Sequence, residues 1–133
     1  MRHQMPLPHV VVGKTDHHEL MVLAMVAAGY PDAADDLLFK LERALIIPET
    51  DLADDIVRMG SVVKFWADSG KVREVSLVYP KNADISLGRV SVLTPVGTAL
   101  IGLRAGEATT WEARDGREHT LRVMSVRQPQ LVN

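Results

Sequence analysis

The hydrophobic positions along the chain change period once. Before residue 48 they recur every three to four residues, and beyond residue 56 they alternate. Leu20, Leu23, Ala24 and Ala27 stand at i, i+3, i+4 and i+7 and predict a helix. Thr15 or Asp16 offers its N-cap, and Glu19, three residues after Asp16, completes a capping box. Met21, Val22, Met25 and Val26 make this helix apolar nearly all round, so it needs more than one neighbour. Gly29, Tyr30 and Pro31 stop it. Pro31 and Asp32 then suit the first turn of a second helix, where proline loses no hydrogen bond and a carboxylate meets the positive end of the dipole. The second stripe is Ala34, Leu37, Leu38, Leu41 and Leu45, with Asp36 and Lys40 as an exposed i, i+4 pair. Two helices joined so tightly fold back as an antiparallel hairpin. The short apolar stretch at 9–12 has no evident role.

Residues 46–55 carry Pro48 and four acids and read as a linker. After it, 61–66, 72–79, 89–93, 108–112 and 119–127 alternate as strands, separated by turn residues such as Asp68-Ser69-Gly70, Lys81-Asn82 and Asp115-Gly116. One helix interrupts them. Thr94 caps it, Pro95 takes its first position, and Val96, Ala99, Leu100 and Leu103 supply its stripe. The fold class is therefore α+β, with a helical hairpin followed by an antiparallel sheet packed on one helix. The expected division is 1–47 for the hairpin, 48–56 for the linker and 57–133 for the body.

Composition removes several chemistries. The 133 residues include no cysteine, which excludes disulfides, thiolate metal sites and cysteine nucleophiles and fits a reducing cytoplasm. The longest apolar run, 20–28, is too short for a bilayer and too deep for a signal peptide, so no membrane partner is expected. Net charge is only -2, but the halves differ. Residues 1–55 hold four basic and ten acidic side chains, and residues 56–133 hold eleven and seven. The acidic arm and basic body form a dipole able to orient the chain near a charged partner.

Asp32, Asp35 and Asp36 are spaced i, i+3, i+4 near the hairpin tip and are oxygen ligands of the kind Mg²⁺ takes. The helix dipole alone also favours acids there, so both readings stand. Adjacent His17 and His18 point to different sides of a helix, and His3, His9 and His119 are scattered. No metal site or cofactor is expected. No serine sits in a nucleophile elbow and no glycine-rich phosphate loop occurs. Gly97 and Gly102 read as packing glycines of the short helix. Arg104, Arg114, Arg117, Arg122 and Arg127 form a candidate basic face for weak contact with nucleic acid or acidic protein, without interleaved aromatics.

Four stretches taken in order resemble the C-terminal domain of the Gre transcription factors. They are 57–63 (VRMGSVV), 77–80 (LVYP), 88–102 (GRVSVLTPVGTALIG) and 105–107 (AGE). The passage from Val90 through Ser91, Thr94, Pro95 and Gly97 to Ala99-Leu100 is the most specific element. Leu41-Glu42-Arg43-Ala44 and Gln128-Pro129 are similar to the Rnk branch, named for regulation of nucleoside diphosphate kinase. The resemblance implies an FKBP-like body that docks on the rim of the secondary channel of RNA polymerase, with Ser91, Thr94 and Pro95 as docking residues. It also implies a coiled-coil finger directed into the channel. In Gre factors acids at the fingertip help hold a catalytic Mg²⁺ of the polymerase and so provoke transcript cleavage. Leu93 departs from the polar residue some Gre proteins carry there.

Length bears on that chemistry. About 13 residues per helix at roughly 1.5 Å rise give an arm of about 20 Å, too short for a long finger. The expectation is a channel occupant that does not stimulate cleavage and is not itself an enzyme. The alternatives are a cleavage-stimulating Gre-like factor and, from another class, a peptidyl-prolyl isomerase. The isomerase would need an aromatic-lined pocket from Phe65, Trp66, Tyr79 and Trp111. Oligomeric state is left open.

Overall fold

The computed structural model describes residues 10–27, 31–113 and 115–129, with the side chains of 31–33 outside the description. The first element among the described residues is a short strand β1 (Val11–Gly13) that runs directly into α1 (Lys14–Val26); α2 (Pro31–Glu42) folds back against it. The helix stop expected at Gly29 and Tyr30 lies outside the described residues, as do His3 and His9. Strand β2 (Leu45–Ile47) then pairs in parallel with β1, Val12 facing Ile46. Two expectations change here. The second helix ends at Glu42, short of Leu45, and the start of the presumed linker is a strand. Leu45 is 61% exposed and contributes nothing to the helical stripe. The stretch at 9–12 gains a role, since Val10 and Val12 are buried in the core.

The body is a five-stranded sheet in the order β5-β4-β3-β7-β6, with β3 Val62–Ala67, β4 Val72–Val78, β5 Arg89–Ser91, β6 Ala108–Glu112 and β7 Glu118–Arg127. The β3, β4, β6 and β7 pairings are antiparallel, while β5 joins β4 in parallel. The reason is the connection. Residues 79–88 pass through two 3-10 turns and return the chain to the start of the edge strand instead of reversing it. Asp115-Gly116 makes the expected turn, with Gly116 at φ 82 and the Gly116 N–H donating to Ala113 at 2.9 Å.

Alternation places Val63, Phe65, Val75, Leu77, Leu121 and Val123 on one face, all buried. Helix α3 (Pro95–Leu100) contributes Ala99 and Leu100 to the same core. Leu20, Ala24, Leu37 and Leu41 of the hairpin join that cluster, so one core runs through arm and body. The all-round apolar α1 is satisfied on one side only: Leu20 and Ala24 are buried, whereas Met25 is 75% and Val26 71% exposed. Between β3 and β7 the register slips after Lys64, which leaves Met124 as an extra residue on β7.

Candidate functional site

The strand-to-helix corner is assembled by hydrogen bonds among its own residues. The Leu93 N–H donates to Ser91 Oγ at 3.0 Å, and the Thr94 hydroxyl donates to the Ser91 carbonyl at 2.7 Å. Thr94 Oγ1 accepts from the Gly97 N–H at 3.0 Å, the N-cap bond expected of it, and Pro95 follows at the first helical position. Thr98 closes the corner by donating to the Val92 carbonyl at 2.6 Å. The first turn of α3 lies so near β5 that a Cβ on Gly97 would overlap the Ser91 carbonyl. Ser91 is buried, while Thr94 and Pro95 are half-buried and reach the surface. The three candidate docking residues are thus adjacent and joined by local hydrogen bonds.

The tip acids are a separate place. Asp35 and Asp36 are exposed on α2, and the side chain of Asp32 lies outside the described residues. Among the described residues no group of three metal-ligating side chains converges.

Several polar residues that the pattern assigned to local duties instead fasten the hairpin to the body. Asp16 does not cap α1. Its Oδ2 accepts from the Met59 N–H at 3.1 Å, and Glu19 accepts from the Tyr79 hydroxyl at 3.2 Å. The cap comes from Glu49, 34 positions after Thr15 and 33 after Asp16, whose Oε2 accepts from the N–H groups of Thr15 at 2.6 Å and Asp16 at 3.2 Å. Gly13 stands at the N-cap position because a Cβ there would strike the Glu49 carboxylate. Lys40 is not an exposed partner of the helix surface. It is 7% exposed, and its ammonium donates to the carbonyls of Thr98 at 2.7 Å and Ala99 at 2.8 Å in α3. His17 meets the Leu41 carbonyl at 3.1 Å, and His119 meets Asp68 at 3.3 Å, so both have structural partners.

These contacts shift the groups involved. Burial pushes the Asp16 carboxyl up, with Glu49 and Glu19 adding to the effect while the Met59 N–H and Arg58 oppose it. Burial and the carboxylates of Asp16 and Glu19 push the Tyr79 phenol up. Burial pushes the Lys40 amine down to about 7, with Arg43 adding and Glu107 opposing. Gln128 ties the last strand to the segment before β3: it accepts from Ser61 at 2.6 Å and Arg58 at 3.1 Å, and donates to the carbonyls of Asp54 and Ile56.

A mainly apolar cleft of about 570 Å³ opens between α1 and the turn after β4, lined by Val22, Leu23, Tyr79 and Lys81 among others. The other three candidate aromatics do not line it. Phe65 is in the core, Trp66 lies on the opposite sheet face, and Trp111 packs on His119 at a ring distance of 5.0 Å. Arg104 pairs with Asp55 at 3.5 Å and Arg117 lies near Asp115, so the expected basic face is broken by acids; Arg114 lies outside the described residues. No described helix is long and apolar enough to cross a membrane. Sequence reasoning missed Lys40, Glu49 and Gln128, whose only local signal is a polar residue inside or beside an apolar stripe.

The family described as "Transcription elongation factor, GreA/GreB, C-term" matches residues 52–128. Over 125 residues the chain is 35% identical to a protein of Escherichia coli named regulator of nucleoside diphosphate kinase, covering 92% of this chain and 91% of that one. It is 37% identical over 79 residues to transcription elongation factor GreA of Thermodesulfovibrio yellowstonii, covering 59% of this chain and 50% of that one. Among solved structures, a prokaryotic transcription elongation factor GreA/GreB from Nitrosomonas europaea superposes with a TM-score of 0.72 at 31% identity, covering 90% of this chain and 98% of that one. The likeness takes in the hairpin and the FKBP-like body together.

Proposed function

Since this chain belongs to the GreA/GreB family of transcription elongation factors, we propose that it binds RNA polymerase at the rim of the secondary channel and occupies the channel mouth without stimulating transcript cleavage. Residues 57–133 are the docking body in this reading, with Ser91, Thr94 and Pro95 at the contact. Residues 1–47 are the arm and 48–56 the linker.

The observation that carries the reading is how the arm is held. Its helices have 13 and 12 residues, which at about 1.5 Å per residue amounts to about 20 Å. Part of that length is committed to the body through Asp16, Glu19 and Lys40. Asp35 and Asp36 therefore project a short way and bring their charge to the channel mouth, not to a distant metal. Charge complementarity at the mouth speeds encounter more than it tightens binding.

The test is co-purification with core RNA polymerase in competition with a GreA-type factor, together with a backtracked-transcript cleavage assay. Pro95→Ala is expected to weaken retention about tenfold while the fold survives. Asp35→Asn with Asp36→Asn is expected to leave cleavage unchanged, because none is stimulated. Rapid shortening of backtracked RNA that these two substitutions abolish would sink the proposal. Deleting the hairpin is not a clean test, since Leu20, Leu37 and Leu41 belong to the shared core.

A further inference from the structure

The sheet has two faces, and among the described residues the core uses the inner one. On the outer face Trp66 is 39% exposed and stands directly between Val72 on β4 and Arg122 on β7. Lys64, two residues back on the same face, is about 7 Å from it. The register slip beside Lys64 turns Met124 outward at 49% exposure. Arg127 lies across from Val62, one further step along the strands. We propose that this outer face binds single-stranded nucleic acid, with Trp66 stacking a base while Arg122, Lys64 and Arg127 meet successive phosphates along β3 and β7.

Three observations favour that occupant. An exposed tryptophan on a sheet is a stacking platform for any base, and it is effective without a pocket. Its cationic neighbour is held in place: Arg122 donates one N–H to the Gly106 carbonyl at 2.7 Å, and a guanidinium has further donors to give. The acids on this face bound the path. Glu74 is the direct cross-strand neighbour of Lys64 and offsets part of its charge, and Glu112 faces Glu118 four register positions beyond Arg122, so Arg122 and Arg127 beside Trp66 carry most of the attraction. Trp111 does not compete for this role, because it is half-buried against His119. This surface is on different side chains from the corner at Ser91 and the acids of the arm, so the inference stands apart from polymerase docking.

The experiment uses the full chain and a fluorescein-labelled 12-nucleotide oligouridylate, followed by anisotropy between 50 and 200 mM KCl. Stacking on one aromatic predicts that Trp66→Ala weakens binding about tenfold, and that Trp66→Phe restores most of it. Three phosphate contacts predict a slope of log affinity against log salt of about -2. Lys64→Gln and Arg127→Gln should each lower that slope by about 0.7. Circular dichroism on each variant confirms an intact fold, which these exposed positions allow. Binding that is absent, or equal in wild type and Trp66→Ala, overturns the proposal. So does loss of polymerase retention in Trp66→Ala with oligonucleotide binding unchanged, which would make the face a protein contact. No polymerase is present in the anisotropy assay, so its outcome is independent of the docking reading.

Discussion

The Lys40 ammonium lies 2.7 Å from the carbonyl oxygen of Thr98, 58 positions later in the chain. It fills the place of a helix C-cap for α3 and joins the arm to the element whose other end is the Thr94–Pro95 corner. A lysine in an apolar interior holds its proton poorly. The folded chain releases it from about pH 7, against an ordinary value of 10.5. Between those values the unfolded chain binds more protons, so stability rises with pH across that window, by at most about 1.4 kcal/mol per unit. Tyr79 acts oppositely. Its raised pKa makes the folded state hold a proton above its ordinary 10.0, so stability falls beyond that point. Urea unfolding at pH 6.5, 8 and 9.5 should show the rise in wild type and its disappearance in Lys40→Met; an unchanged slope in the variant would contradict this role.

Asp16 is a tertiary acceptor, not a cap. Asp16→Ala should cost about 1–2 kcal/mol, the penalty of leaving the part-buried Met59 N–H unpaired. Asp16→Asn retains an oxygen acceptor and sheds a carboxylate that burial already disfavours, so its loss should be under about 0.5 kcal/mol. Equal losses in the two variants would place the effect elsewhere.

The long-range cap of α1 depends on two residues. Desolvation raises the Glu49 carboxyl, but the N–H groups of Asp16 and Thr15, with the Thr15 side chain, together outweigh it and hold the group below its usual range. The corresponding stability is present above the ordinary carboxylate pKa and is lost as pH falls through the lowered one. Glu49→Ala should cost about 1 kcal/mol. Gly13→Ala, which displaces the same carboxylate, should cost a similar amount, and the double variant should fall well short of the sum. Additive losses in thermal unfolding would argue against a shared cap.

Gly102 is at φ +84 and accommodates Val10 where a Cβ would stand. Gly102→Ala should lower stability by about 2 kcal/mol or more, from backbone strain and overpacking together. Adding Val10→Ala should restore only the packing part. Gly97→Ala should be comparably damaging for a different reason, since its obstacle is the Ser91 carbonyl, which no side-chain truncation removes. A melting temperature for Gly97→Ala within about 1 °C of wild type would show that α3 can move away from β5.

Residues with short-range physics were legible before the fold was known. Thr94, Pro95 and Gly97 define a cap, a first-turn proline and a close approach within four positions, and each does what its type predicts. Asp115 and Gly116 likewise make their turn. The strands came from alternation, and all five were found to within a few residues of their ends. Asp16 and Glu19 show where such reasoning stops. A capping box was available locally, but Met59 and Tyr79 offered donors brought near only by folding. Leu45 was misplaced because three apolar residues before a proline fit the end of a helix as well as a strand, and β1 exists as its partner only in three dimensions.

By itself the sequence determined the α+β class, the hairpin, the alternating strands and the corner, because periodicity, caps and turns depend on neighbours within a few residues. It also carried the family, through the same corner. Tertiary structure alone decided that Lys40 is buried, that Glu49 caps a helix from 34 positions away and that Trp66 faces solvent beside Arg122. The physical reason is common to all three. A polar or aromatic side chain takes its partner from whatever the packing of distant elements brings within about 3 Å for a hydrogen bond or one strand spacing for a sheet neighbour, and no local pattern encodes that distance.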